Sequence, residues 1–513
     1  MAYQLKTAVW EITLACNMRC GHCGSRCSEK MPNELNTFEA LRLCDELAEL
    51  GLKQLTLSGG EPLLRQDWHI IAKRLSHQGV GVNLISNGWL IDDRLLELAR
   101  DSGVVNIGIS LDGGAQTHDG IRKKGAHARV VRVLALMKEK HFQSAVVTTI
   151  LKKNIRELPQ IQKVLEKLAV EIWQLQIGLP MGNLSRQEVI DPRQVEDIIG
   201  FACRLLTHGT LKPVIADSVG YYTKQTKMLW ENSSGCGSGW MGCQAGKSNI
   251  GILHDGRITG CTSIRDDRFV EGNIREKSLR DIWESPEAFA WNRQLKKSDL
   301  SGFCAQCQFG EVCLAGCSSA KLSTTHDLTQ NPYCARRNHI EDVFPKIENI
   351  QDVETLIARA AKAVSLDLYE IAVACLAKAV KLDPDHMAAL SLLGFAHYKL
   401  ENYSDAVDVN RKAITLDPNN AYLYNGLGIC LSRQGNTQEG IAALRQAVQL
   451  ADASFTDPFH DLAVILLDKG RPDEALEVLD QGCNRFSAFK EKAQDLYHQC
   501  RNPGVGRNDA YGG

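Results

Sequence analysis

Three cysteines, Cys16, Cys20 and Cys23, stand at the spacing C-x3-C-x2-C. They follow a short apolar run, residues 8–14, that reads as a buried strand. Thiolates so close together can each hold one iron of a [4Fe–4S] cube. The motif supplies three ligands, so the fourth iron is left open, much as a three-ligand zinc site keeps an open position. Zinc is the alternative occupant, but zinc prefers paired C-x2-C knuckles, and no second knuckle stands nearby. His22 is a donor inside the loop, although its neighbour Cys23 already serves the C-x2-C step. Cys27 could complete the set only by removing the open position that gives the spacing its purpose.

More residues of this kind follow other strand-like runs. Ser58-Gly59-Gly60-Glu61-Pro62 ends the run 54–58 and begins its glycines 36 residues beyond Cys23. Paired glycines let backbone approach a ligand closely, and a carboxylate beside them can accept hydrogen bonds from an ammonium group. Ser86-Asn87-Gly88 follows the run 81–86. Ser110-Leu111-Asp112-Gly113 follows 105–111, with His118-Asp119-Gly120-Ile121-Arg122 close behind. Asn-Gly and Asp-Gly form turns readily, so Asn87 and Asp112 can be turn residues alone; an arginine fork suits a carboxylate bidentately. Leu179, just before Pro180, can wall an aromatic ring or belong to the core. Cysteines then return at Cys236, Cys243, Cys261, Cys304, Cys307, Cys313, Cys317 and Cys334. Eight thiols make two four-thiolate sets, for zinc or for iron. A hairpin, 248–253 and 257–261 around His254-Asp255-Gly256, is expected among them.

The C-x3-C-x2-C loop, with Gly-Gly-Glu-Pro after the next strand and the serine and arginine beyond, resembles the radical S-adenosylmethionine (radical SAM) superfamily. The resemblance implies that Cys16, Cys20 and Cys23 hold a [4Fe–4S] cluster whose open iron is chelated by the amino and carboxylate groups of SAM. It also implies reductive cleavage of SAM to methionine and a 5′-deoxyadenosyl radical, with the protein supplying binding, orientation and exclusion of side reactions. By the same resemblance Gly59, Gly60 and Glu61 bind the methionine amino group, Ser110 and Arg122 the ribose and carboxylate, and Leu179 lies beside the adenine. The later cysteines resemble a SPASM domain, an extension of radical SAM enzymes that modify peptides and proteins. Its interleaving implies one auxiliary cluster on Cys236, Cys243, Cys261 and Cys317 and a second on Cys304, Cys307, Cys313 and Cys334. With all eight positions filled, neither has an open iron; the expected cofactors are three [4Fe–4S] clusters and SAM. Anaerobic sulfatase-maturating enzymes share this layout but carry an aspartate after the cysteine matching Cys261. Here Thr262 stands there, and a threonine lacks useful basicity, which disfavours that reaction.

The elements that must position these groups alternate in type. Strand-like runs at 8–14, 54–58, 81–86, 105–111, 145–150 and 172–177 are separated by amphipathic helical patterns at 37–50, 66–78, 92–101, 128–140 and 157–168. Such alternation predicts a parallel sheet covered by helices. The expected fold is therefore α/β: a partial (β/α)6 radical SAM barrel over 1–200, a connector over 201–235, and a small cysteine-rich SPASM domain over 236–334. In such barrels ligands sit at the carboxyl ends of strands, where every motif above falls. A linker over 335–352 leads to a different pattern. Leu382-Asp383-Pro384 recurs as Leu416-Asp417-Pro418, and Ala379, Ala413 and Ala447 share the same 34-residue step. That is the tetratricopeptide (TPR) period, so an all-α TPR solenoid is expected over 353–489. The tail, 490–513, rich in glycine at its end, is expected to be disordered.

The 513 residues suit about three domains. A net charge of −2 offers no case for nucleic acid or an anionic membrane. The first residues lack the basic and apolar regions of a signal peptide, and no run approaches membrane-spanning length; a cytoplasmic protein is expected. The 18 cysteines there favour metal sites over disulfides. A catalytic barrel, auxiliary clusters and a protein-binding solenoid point to a macromolecular substrate. The expected activity is hydrogen-atom abstraction from a ribosomally made precursor peptide, giving an epimer, a crosslink or a backbone excision. About seven residues precede the first strand, so leader recognition is expected to fall to a separate small protein or to the repeats, and a flavodoxin or ferredoxin would supply electrons. Two other readings stay open: maturation of a folded protein, as for quinone cofactors or sulfatases, and a non-catalytic iron–sulfur and TPR scaffold.

Overall fold

The computed structural model describes residues 3–216, 218–232 and 240–501, so Cys236 lies outside the described residues. The chain divides into two compact units, Met1–His339 and Ile340–Gly513.

The first unit is built on strands β1 (Thr7–Thr13), β2 (Gln54–Gly59), β3 (Gly81–Ser86), β4 (Val104–Ser110), β5 (Ser144–Ile150), β6 (Ile172–Ile177), β7 (Lys212–Ile215), β8 (Asn249–Ile252), β9 (Arg257–Thr259) and β10 (Val270–Asn273). They form one sheet in the order β10-β9-β8-β1-β2-β3-β4-β5-β6-β7. Every neighbouring pair from β8 through β1 to β7 is parallel, and β9 and β10 continue antiparallel. The connecting helices are α1 (Thr37–Glu49), α2 (Trp68–His77), α3 (Asp93–Asp101), α4 (Ala115–Ile121), α5 (Ala126–Glu139), α6 (Leu158–Lys167), α7 (Val195–His208) and α8 (Lys224–Glu231). Local chemistry sets their starts: Asn36 and Glu39 close a capping box on α1, and the Asp92 carboxylate accepts from Leu95 N on α3.

Alternation along the strands separates two faces. Trp10, Ile12, Leu57, Leu84, Ile109, Trp173 and Leu175 are fully buried in the core. Glu11, Gln174 and Gln176, from the intervening positions, line a cavity instead.

The expected six-strand barrel is present, and the sheet goes further. Residues 201–235 do not merely connect: β7 pairs with β6, and α8 follows. The expected hairpin forms as β8 and β9, but β8 is hydrogen-bonded to β1 with Thr7 opposite Asn249. The cysteine-rich segment is thus a continuation of the barrel sheet. Neither feature carries a local signal, because β7 has four residues and the β1–β8 pairing is distant in sequence. The stretch before Arg122 forms helix α4, not a turn; Gly114 caps it without a side-chain hydrogen bond.

Helix Ala335–Ile347 occupies most of the expected linker. Beyond it the second unit stacks four helix pairs: Val353–Ser365 with Tyr369–Leu382, Met387–Lys399 with Tyr403–Leu416, Ala421–Arg433 with Thr437–Leu450, and Asp457–Asp468 with Pro472–Arg485. Helix starts at Val353, Met387 and Ala421 are 34 apart, whereas Asp457 is 36 on, because the turn after Leu450 is two residues longer. A ninth helix, Phe489–Arg501, corrects the expected tail: Phe489, Ala493, Leu496 and Cys500 are buried in the last core cluster, which pays for its order. Leu444 of that cluster is fully buried, while Leu382 is 41% exposed. Leu444→Ala should cost about 2–5 kcal/mol and lower the helical melting transition of the repeats. Leu382→Ala should change stability by no more than about 0.5 kcal/mol in the same thermal scan.

Candidate active site

The cysteine loop leaves the end of β1 and is held from several sides. Cys16 N donates to Ser28 O and Gly21 N to Ile121 O at the end of α4. After β6, Asn183 N donates to Cys23 O at 2.9 Å and its side-chain amide to Cys20 O at 3.1 Å. Cys16, Cys20 and Cys23 share one small cluster with Met18, Trp89 and Ala126. Burial raises the Cys16 thiol and pushes Cys20 up to about 11; Cys16 also feels Cys23, and Cys20 feels both Cys16 and Cys23, as like charges. Cys23 is shifted down instead, because the Cys27 thiol and N–H both donate to its sulfur. Among the described residues no three His, Cys, Asp or Glu side chains converge as one metal ion would require. A four-iron cube has no such requirement, since its thiolates ligate different irons.

The Gly-Gly-Glu turn lies directly under this loop. Gly59 has φ +123°, and a Cβ there would come within 2.2 Å of Thr13 O; on Gly60 it would meet Ala15 O at 2.1 Å. Gly60 N and Glu61 N donate to those same carbonyls at 2.8 Å. The glycines therefore let the β2 turn grip the chain that enters the cysteine loop. Glu61 is fully buried, with its carboxylate accepting from Ser86 Oγ at 2.9 Å and Asn87 N at 2.8 Å. Burial raises its carboxyl to about 7 against the pull of those hydrogen bonds. Asn87 also donates to Asn17 Oδ1, inside the cysteine loop.

A second buried carboxylate, Asp112, sits past β4. It accepts from Thr149 N at 2.9 Å, from His22 Nε2 at 3.0 Å and from Arg122 Nε at 2.5 Å. Burial alone would raise Asp112, but Arg122 and His22 outweigh it and hold the carboxyl far below the usual range. His22 is thus committed to a carboxylate within a loop of thiols. His118 accepts from Asp112 N through Nδ1, and burial lowers it to about 4, so it is neutral. Ser110 closes β4 and is buried opposite Val147. A third carboxylate, Glu11 of β1, receives Arg265 at 2.6 and 2.9 Å and Ser25 Oγ at 2.6 Å.

At the carboxyl ends of the strands lies a cavity of about 540 Å³. Its wall brings together the cysteine loop (His22, Gly24, Ser25), strand-end residues Gly59, Thr149 and Leu179, and Cys261, Thr262 and Cys317 from the later cysteines. A separate, smaller pocket is lined by Cys304, Cys307, Cys313 and Cys334 together. Burial pushes Cys334 up to about 12 and Cys313 well up, and the four sulfurs act on one another as like charges. Four buried thiols facing one space are the donor set of a metal cluster, which binds them as thiolates. Tyr221 and Trp240 brace the same region: the Tyr221 hydroxyl accepts from Cys317 N, and Trp240 Nε1 donates to Cys313 O.

Residues 10–165 match the radical SAM superfamily model, and residues 243–308 match the SPASM iron–sulfur cluster-binding domain. The Fe-coproporphyrin III synthase of Methanosarcina barkeri is 30% identical over 60% of this chain and 81% of its own length. This chain belongs to the radical SAM superfamily. The AdoMet-dependent heme synthase of the same organism is 29% identical over 64% of this radical SAM protein and 95% of the relative. The mycofactocin maturase of Mycobacterium ulcerans is 27% identical over 61% of this chain and 83% of its own. Over 67% of this chain the fold is similar to that of native anSMEcpe with bound AdoMet and the Cp18Cys peptide: the TM-score is 0.53 at 18% identity, covering 98% of that chain. Tetratricopeptide models match 358–421 and 410–442.

Of the residues expected to touch SAM, Gly59 and Leu179 face the cavity, while Glu61 and Arg122 are engaged by the radical SAM protein's own side chains. The sequence leaves Asp112 and Asn87 open between site and turn residues, and it does not mark Asn183 or the Glu11–Arg265 pair. Asp112 and Asn87 had a signal in their place after a strand; Asn183 and the Glu11–Arg265 pair join segments far apart and had none.

Two expectations follow. Arg122→Ala would strand the Asp112 carboxylate and should cost about 3–5 kcal/mol by chemical denaturation; adding Asp112→Asn should recover much of that loss, the non-additivity of a contacting pair. Glu61 binds its proton more tightly folded than unfolded, so its contribution is greatest below its ordinary value of 4.5 and fades as pH rises through about 7. Wild-type stability relative to Glu61→Gln should therefore fall by about 3 kcal/mol across that interval, read from denaturant titrations at several pH values.

Proposed function

We propose that this protein is a peptide maturase: it cleaves SAM reductively and abstracts a hydrogen atom from a ribosomally made precursor peptide. The observation that carries the reading is the character of the cavity wall. Gln174, Gln176 and Thr149 present amide and hydroxyl groups along one side, and the Trp230 indole N–H is buried there without a partner among the described residues. Such groups match the carbonyls and N–H groups of a peptide. Arg265 is the only lysine or arginine among the described lining residues, and Glu11 already neutralises it. A tetrapyrrole, such as the relatives named as heme and Fe-coproporphyrin synthases suggest, brings carboxylates that need cations.

In this reading Cys16, Cys20 and Cys23 hold the cluster that binds SAM. Cys243, Cys261 and Cys317, with Cys236, hold one auxiliary [4Fe–4S] cluster, and Cys304, Cys307, Cys313 and Cys334 hold another. The SAM-bound cluster supplies, on one-electron reduction, a 5′-deoxyadenosyl radical. Gly59, Gly60 and Glu61 position the methionine end, Glu61 through its grip on β3. Arg122 and Ser110 serve the carboxylate and ribose, with Asp112 fixing the guanidinium, and Leu179 walls the adenine. The repeats offer a surface for the precursor or its carrier, as solenoids do.

The test uses anaerobically reconstituted full-length protein. Iron should be about twelve per chain, falling to about eight when Cys16, Cys20 and Cys23 are all alanine, with SAM cleavage abolished. Candidate peptides from short reading frames beside the gene should stimulate 5′-deoxyadenosine formation and emerge with altered mass. Stimulation by coproporphyrin and not by any such peptide would overturn the substrate reading.

A further inference from the structure

Lys321 lies on the helix Ser318–Thr325 and has no exposed surface. Its ammonium donates to Leu314 O at 2.8 Å. Among the described residues no carboxylate pairs with it. Asp327, which does feel its charge, is engaged by the N–H and hydroxyl of Thr329. A buried ammonium without a counter-charge is expensive, so the structure must supply one. The groups that favour its charge are the sulfurs of Cys243, Cys317, Cys313 and Cys304. Two of these belong to each proposed auxiliary set.

The backbone around the carbonyl that Lys321 holds is unusual as well. Leu314, Ala315 and Gly316 all lie in the left-handed region, with φ of +48°, +58° and +75°. That conformation is unfavourable for leucine and alanine. The strained run joins Cys313 of one set to Cys317 of the other, so the Lys321 hydrogen bond holds the strap between the two sites. As neutral thiols the cysteines give the ammonium nothing to offset; as cluster thiolates with net negative charge, both sets do.

We propose that Lys321 is a counter-charge shared by the two auxiliary clusters, raising the reduction potential of both by stabilising the added electron. The inference rests on the cluster assignment above. Cluster potentials respond to nearby charge and burial, and a single buried cation between two sites acts on each.

The experiment uses full-length protein with Cys16, Cys20 and Cys23 replaced by alanine, so that only auxiliary clusters report. Iron content comes first, then potentiometric titration followed by absorbance and EPR. Lys321→Met and Lys321→Gln should each weaken reduction of both clusters about tenfold or more, which is a drop of about 59 mV for one electron, and a drop confined to one cluster would overturn the sharing. Lys321→Arg should stay within about threefold of the parent. Two clusters with unmoved potentials in the neutral variants would overturn this proposal alone. A parent without iron would sink the cluster assignment and this proposal with it. If the neutral variants lose iron and the arginine variant retains it, charge is what the site requires and the proposal stands. Loss of iron in all three would assign the side chain to packing and overturn it.

Discussion

Three carboxylates buried at the carboxyl ends of parallel strands constrain the whole catalytic end of the first unit. Glu11, Glu61 and Asp112 are at most 4% exposed. A carboxylate out of water must find donors within the protein, and each of these draws them from a different segment. Glu11 takes Ser25 from the cysteine loop and Arg265 from beyond β9. Glu61 takes the end of β3, and Asp112 takes His22, Arg122 and the end of β5. Loops of this kind are ordinarily the mobile part of a barrel; here leaving any one of them out of place would deprive a buried carboxyl of its donors. The cysteine loop is tied to two of the three carboxylates, which gives its sulfurs a defined setting before any iron arrives.

Much of the fold was legible because it rests on local patterns. The six strands and five helices expected in the barrel all form, with boundaries shifted by no more than two residues, since alternation and amphipathic spacing report burial directly. What escaped was non-local or short. β7 offers four residues, α4 seven, and the β1–β8 ladder joins segments that share no sequence signal. In the site, the cysteines and the glycine turn were visible as types and spacings. The roles of Glu61 and Asp112 were not, because burial decides whether a carboxylate faces a ligand or a neighbour, and burial at a strand end depends on which loops close over it. The repeats were legible from their period, yet Phe489–Arg501 read as tail because it has no partner helix to complete a fifth repeat.

The β1–β8 ladder also changes how the two groups of cysteines are understood. Separate domains would place the later cysteines wherever an interface happened to put them. One continuous sheet places Cys261, just past β9, and His22, just past β1, on the wall of the same cavity. Radical SAM proteins with one architecture act on different molecules because fold does not set function. In this chain the inward-facing strand positions Gln174, Gln176 and Thr149 line the cavity.

That ladder has a consequence for how the protein is made. β1 leaves the ribosome well before its second sheet partner, which has Asn249 opposite Thr7 and follows some 240 residues later. At ordinary elongation rates the interval is roughly 10–50 s. Throughout it one side of β1 presents unpaired backbone groups, a template for pairing with another chain, beside a loop bearing reactive thiols. Holding that edge and loading iron only after β8 has docked are tasks for the cell's folding and cluster-delivery machinery, and overproduction that outruns either should yield aggregates before it yields enzyme.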